Sequence, residues 1–136
     1  MSKKRIYLTH CSATKDNSLK DTNKRVTPDK LYTATPTQRF MKLCMKNNVE
    51  WAIFSDNYGI WLSKERYGWY EKNPDSVTDK EFDKLVANFN TRLKNFDEMW
   101  FYYNPGRFHG LYRKLVTNSK LRRKIRLFTH VNEIVK

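Results

Sequence analysis

Trp51-Ala52-Ile53-Phe54 is a run of four apolar residues that stops abruptly at Ser55-Asp56-Asn57-Tyr58. A strand with water on one face alternates apolar and polar residues, whereas a strand covered on both faces of a parallel sheet reads as a continuous apolar run. The run therefore predicts a buried parallel strand. Three more segments can share its sheet: Ile6-Tyr7-Leu8, Met99-Trp100-Phe101-Tyr102-Tyr103 and Ile125-Arg126-Leu127-Phe128. Helical signals separate them. Thr35-Pro36-Thr37-Gln38 has the spacing of a capping box with proline at the first helical position, and leads into Phe40, Leu43 and Cys44 on one face. Thr78-Asp79-Lys80-Glu81 is a second box, ahead of the stripe Phe82, Leu85, Val86, Phe89, Leu93 and Phe96. Asn104-Pro105 opens a third helix through Phe108, Leu111, Tyr112 and Leu115, and Val131 to Val135 suits a last short turn. The order β-α-β-α-β-α-β predicts one α/β domain over residues 1–136, a three-layer α/β/α sandwich around a four-stranded, mainly parallel sheet. Residues 10–34 and 56–77 remain as long irregular connections. Each follows the C-terminal end of a strand, where open α/β sheets bind ligands.

The rest of the chain limits what such a domain can be. With 136 residues it has room for one core, and 39% hydrophobic with 15% aromatic residues argues against disorder. No apolar run approaches the roughly 20 residues of a membrane helix, and the stretch after Met1-Ser2-Lys3-Lys4-Arg5 is too short for a signal peptide. Two cysteines, Cys11 and Cys44, cannot make a disulfide scaffold. A cytoplasmic protein without membrane contact is expected. The net charge is +13, and it is uneven: +7 over residues 1–50, −2 over 51–100 and +8 over 101–136. A fold that joins the two ends would carry a cationic face, the electrostatic footprint of a phosphate-backbone binder.

Polar residues collect just past the predicted strands. They are His10, Cys11, Ser12, Thr14 and Lys15 after the first, then Ser55, Asp56, Asn57 and Tyr58 after the second. Asn104, Gly106, Arg107 and His109 follow the third, with Thr129 and His130 after the fourth. All three histidines belong to this set, and in a parallel sheet these positions converge on one rim. Cys11 reads either as a buried residue closing a strand or as a nucleophile activated by Lys15 and a histidine. Cys44 sits on an apolar stripe and belongs to the core. Neither a C-x-x-C nor an H-x-x-x-H spacing occurs, so no metal is expected. Arg107 and His109 in a first helical turn read either as an anion seat with Asn104-Pro105-Gly106 or as an ordinary cap with an exposed arginine. The absence of G-x-G-x-x-G and of G-x-x-x-x-G-K-[ST] disfavours dinucleotide and P-loop chemistry, and no cofactor is expected. The aromatic stretch 56–73 suits stacking on unpaired bases, or folding back as a satellite core under the loop.

Three segments in order carry a resemblance: Cys11-Ser12-Ala13-Thr14-Lys15, Asp29-Lys30-Leu31-Tyr32-Thr33 and Ile53-Phe54-Ser55-Asp56-Asn57-Tyr58-Gly59-Ile60. They resemble a widespread family of small uncharacterised α/β domains that read strand-C-S-x-x-K, L-Y-T/S and strand-S-A-x-x-G-L. That family is similar to the core domain of archaeosine synthase, which modifies a 7-deazaguanine base in transfer RNA, and to the uracil-DNA glycosylase superfamily. Cys11 and Lys15 match the synthase's Cys-x-x-x-Lys, although Asp16-Asn17 stand where its motif continues Pro-Tyr. The resemblance implies a glycosylase-like sheet ordered 2-1-3-4 and a nucleobase-sized pocket.

The expected function is thus recognition of, or action on, a nucleobase in RNA or DNA, as in RNA or tRNA modification or DNA base processing. A non-catalytic nucleic-acid-binding module and a small-nucleotide enzyme are the alternatives. Cys11, Lys15 and Asp56 are the candidate catalytic residues: Lys15 as amine nucleophile or electrostatic stabiliser, Asp56 as general base or base-edge reader. Ser12, Tyr32, Ser55, Tyr58, Arg107 and His109 are the candidate substrate-binding residues. Arg113, Lys120, Arg122, Arg123, Lys124 and Arg126 would hold a nucleic-acid backbone. Nucleic acid is the expected partner, with room for a partner protein that supplies further chemistry.

Overall fold

The computed structural model describes residues 3–104, 106 and 108–136. Among them run the strands β1 (Arg5–His10), β2 (Trp51–Ser55), β3 (Gly59–Leu62), β4 (Glu98–Tyr102) and β5 (Ile125–Phe128). The helices are α1 (Pro28–Leu31), α2 (Thr35–Lys46), α3 (Asp79–Leu93) and α4 (Gly110–Asn118). The strands form one sheet in the order β3-β2-β1-β4-β5. β2, β1, β4 and β5 are parallel, and β3 returns antiparallel along β2. The fold is therefore α/β as expected, but the sheet is mixed and has five strands where four were predicted.

The fifth strand lies inside the segment expected to be irregular. Ser55 Oγ accepts the N–H groups of Asn57 (3.1 Å) and Tyr58 (3.0 Å), which bends the chain straight back. Gly59 then adopts φ +77, open to glycine at little cost, and Asn88 Oδ1 on α3 accepts the Ile60 N–H at 2.8 Å. Ile60 and Trp61 become fully buried.

Side-chain alternation along β1 sorts the layers. Tyr7 and Thr9 face α2, whose Phe40 stacks on Tyr102, the register partner of Thr9. Leu8 and His10 face the opposite way, toward α3 and α4. There Phe89 and Tyr112 both meet Phe54, the register partner of His10, edge to face. Cys44 is fully buried on α2, as its stripe predicts.

Two helix starts differ from the sequence reading. The N-cap of α2 is Ala34, with no side-chain bond, because Gln38 turns back to the carbonyls of Asp29 (2.8 Å) and Tyr32 (2.6 Å) and pins α1 instead. α4 begins at Gly110, where His109 Nδ1 caps the Leu111 N–H. Upstream, Asn104 Oδ1 takes the Gly106 N–H into a local turn (3.0 Å). The Thr78 box forms in full, with Thr78 and Glu81 each accepting the other's backbone N–H. After β5 a single 3-10 turn covers Val131–Glu133, and Tyr7 Oη bonds both the carbonyl and the N–H of Val135, joining the two ends of the chain. No helix among the described residues is long and apolar enough to cross a membrane.

Candidate functional site

Parallel neighbours end side by side, so the first residues beyond β1 and β2 must meet. Cys11 and Asp56 are those residues. The Cys11 N–H donates to Phe54 O (2.9 Å), the thiol donates to Asp56 Oδ1 (3.5 Å), and the sulfur receives the Asp56 N–H (3.4 Å). The Tyr112 hydroxyl, from α4, lies 3.1 Å from the same sulfur. Burial, reinforced by the negative charge of Asp56, pushes the Cys11 thiol up to about 11. Among the described residues no lysine or histidine nitrogen is a hydrogen-bond partner of the thiol, and a thiol raised in this way favours the structural reading of Cys11 over the activated one. Burial also raises the Asp56 carboxyl, against the bond from Cys11 and the opposing charges of Lys15 and Lys72. A carboxyl so raised is a better proton acceptor near neutrality than an exposed aspartate.

A chain of hydroxyls supports this pair from behind. Ser55 Oγ donates to Tyr70 Oη (3.0 Å), which lies 2.6 Å from Tyr32 Oη. Lys15 Nζ sits 4.5 Å above the Tyr70 ring, and its backbone bridges to Tyr32. Tyr32 and Ser55, expected to touch substrate, are fully buried and position the rim. Tyr58 was expected to stack on a base. Its ring stacks on Tyr67 (4.6 Å) and packs against Trp61 and Tyr70, while its hydroxyl reaches Gly68 O. Tyr58 thus joins Ile60 and Trp61, which fold back under the loop as the satellite-core reading expects.

The open space lies on the other side of Cys11. A cavity of about 260 Å³ is walled by Ala34, Pro36, Pro74, Tyr102 and Tyr112, with His10, Ser12, Thr37, Asn104 and His109 supplying polar atoms. His10 stacks on Tyr112 at 4.8 Å and 14°, a nearly parallel pair. Its Nδ1 donates to Cys11 O (2.8 Å), and burial holds the ring below the usual histidine range, so Nε2 remains a hydrogen-bond acceptor. His109 uses both nitrogens: Nδ1 accepts from Leu111, which leaves Nε2–H to donate to Asp75 and ties the 73–76 turn to α4. A recess of about 30 Å³ opens next door and shares Cys11, Ser12, Pro74 and Tyr112 with the cavity. Asp56, Lys15 and Lys72 line it. It is large enough for about one water or one exocyclic group.

The rim thus gathers Cys11, Ser12, Lys15, Asp56 and His109 from the expected set. It does not gather the cations expected to hold a nucleic-acid backbone. Lys120, Arg122, Arg123 and Lys124 precede β5 and occupy the opposite, N-terminal edge of the sheet, roughly 13–17 Å away along a strand of four to five residues. Lys124 there caps the end of α3 by donating to the carbonyls of Lys94 (3.2 Å) and Phe96 (3.1 Å). Arg126, on β5, lies over Trp100 of β4, and Arg113 over the ring of Phe108. Pro105 and Arg107, and with them the expected anion seat, lie outside the described residues. Tyr112, Tyr70 and Lys72 complete the site unforeseen. Tyr112 read as one more apolar position of a helical stripe, and only the hydroxyl marks it as a group able to reach a sulfur from that stripe.

Comparison of the chain with family models, with curated proteins and with solved structures returns no match.

Proposed function

We propose that the protein receives a nucleobase of RNA or DNA in the cavity at the C-terminal edge of β1 and β4. The observation that carries the reading is the cavity's make-up. A parallel His10–Tyr112 pair and apolar walls enclose a space just under the roughly 300 Å³ at which drug-sized pockets begin, enough for one ring system. His10 Nε2, Ser12 and Asn104 are suited to a base edge. The recess beside Cys11 then brings an exocyclic group, or a water, next to Asp56 with Lys15 and Lys72 close by.

In this reading Asp56 accepts a proton or a hydrogen bond from the base, and Lys15 stabilises negative charge. Cys11 serves as a donor that fixes the Asp56 carboxyl rather than as a nucleophile. The resemblance to archaeosine synthase and to the glycosylase superfamily supports base modification or base processing as the reaction class, with β3 an addition at the sheet edge. The charge of +13 supports a polymeric substrate over a free nucleotide. The buried, protonated Cys11 favours the second reading, a module that recognises a base without chemistry.

Mass spectrometry of nucleosides after incubation with RNA and DNA pools separates the two. A new or missing nucleoside that depends on Asp56 establishes the enzyme. Unaltered nucleosides, with base-dependent NMR shifts at His10 and Tyr112, establish the module. Unaltered nucleosides with unmoved His10 and Tyr112 resonances would remove the proposal.

A further inference from the structure

The base cavity has a neighbour of opposite character. Tyr102, at the end of β4, lines both the base cavity and a hollow of about 390 Å³. Arg39 of α2 and Thr129, His130 and Asn132 beyond β5 line that hollow. Arg39 is exposed, and among the described residues it forms no ion pair. Glu133, the acidic residue nearest in sequence to these residues beyond β5, is not part of the lining.

A guanidinium, an imidazole, a hydroxyl and a side-chain amide around one hollow are donors suited to phosphate oxygens, and arginine offers the planar fork that phosphate takes in two bonds. The first lobe is mainly apolar and sized for a ring, while the second, though Leu43 and Val131 share its lining, is mainly polar and carries Arg39, and Tyr102 lines both. We infer that the ligand is a phosphorylated nucleotide bound across both lobes, its base in the first and its phosphate on Arg39, Thr129 and His130. The inference rests on the base-binding reading and deepens it. It also assigns the phosphate next to the bound base to this rim, and leaves Arg122 and Arg123 on the far edge for more distant parts of a polymer.

The test titrates isotope-labelled protein with the four common ribonucleosides, their 3′- and 5′-monophosphates, and inorganic phosphate alone. For at least one base the monophosphate should bind about tenfold more tightly than the nucleoside. It should shift Thr129 and His130 together with His10 and Tyr112. Arg39→Gln should bring the monophosphate down to the nucleoside's affinity, and Arg39→Lys should restore part of the gain. Equal affinities, with shifts at His10 and Tyr112 and silence at Thr129 and His130, overturn the two-lobe inference and leave the base reading standing. Shifts at Thr129 and His130 from phosphate alone, with no nucleoside moving His10 or Tyr112, defeat the base reading and this inference with it. Silence of both lobes to every probe does the same.

Discussion

Replacing Asp56 by asparagine should reveal whether its charge is supported or merely tolerated. Asp56 is 4% exposed as a residue, and the thiol of Cys11 donates to its carboxylate. Lys15 and Lys72 act on it through space, and among the described residues neither pairs with it within ion-pair distance; Lys72 is held by Glu81 at 2.6 Å. A carboxyl raised by burial stabilises the fold while protonated, below its unfolded value, and loses that contribution as pH rises through its folded value. An asparagine side chain does not titrate. Relative to the wild type, Asp56→Asn should therefore gain stability as pH rises, by about 1.4 kcal/mol for every pH unit over which the carboxyl stays protonated in the fold and ionised in the unfolded chain. Above the folded value the difference should level off. Urea denaturation followed by tryptophan fluorescence at pH 3, 5 and 7 measures it. At pH 3 the two proteins should agree within about 1 kcal/mol, since either side chain can accept the thiol. A loss of roughly 3–5 kcal/mol at pH 7 that vanishes at pH 3 is the signature of a broken buried ion pair, and it would refute the reasoning.

Lys15→Met should leave the melting temperature nearly unchanged, a change of under about 1 kcal/mol, while lowering any base-processing rate by about 100-fold or more in the mass-spectrometric assay. Tyr70→Phe removes the hydroxyl shared by Ser55 and Tyr32 and should cost about 1–3 kcal/mol in chemical denaturation. Gly59→Ala should be destabilising by about 1 kcal/mol or more, because its Cβ would stand 2.5 Å from Asn88 Oδ1 at a φ of +77. Combining it with Asn88→Ala should cost less than the sum of the two single changes. With a thiol at about 11, native Cys11 at pH 8 holds a thiolate population roughly a few hundredfold below that of a free cysteine. Alkylation read by mass spectrometry should thus be slow until denaturant is added.

β1 and β2 were legible because a strand buried on both faces cannot hide its apolar run, whereas β4 and β5, only partly buried, were legible from their short aromatic and aliphatic segments between helical stretches. The meeting of Cys11 with Asp56 was legible for a related reason, since neighbouring parallel strands place their successors together. β3 escaped because it is four residues long and follows a turn made by Ser55, whose hydroxyl reads as a site residue. A hairpin needs so little chain that Gly59-Ile60-Trp61-Leu62 passed for part of a loop, though Gly59 after Asp56-Asn57 was the signal. The sequence pattern alone could not assign an edge of the sheet to the cations expected to hold a backbone. Charge counted along a sequence shows how many cations there are, whereas the edge they occupy depends on whether they precede or follow a strand. Tyr112 and Tyr70 were illegible as site residues because their rings satisfy the apolar pattern, and their hydroxyls act only once folding brings a sulfur or another hydroxyl within reach.

The sheet's central strand is the first to be made. β1 pairs with β2 some 44 residues later, Tyr7 with Trp51, and with β4 some 93 residues later, Arg5 with Glu98. Pairings of such separation impose loop-closure entropy before they return any contact energy, and they slow folding. On the ribosome, β2 and β3 can close as a local hairpin and accept β1 along one side. The other side of β1 stays an unpaired edge flanked by Ile6, Tyr7 and Leu8 until β4 emerges. The interval between those two pairings is when this chain is most open to association with its own copies. Slowing synthesis between residues 62 and 98 should lower the soluble yield more than slowing it after residue 102, when β4 has already sealed the centre of the sheet.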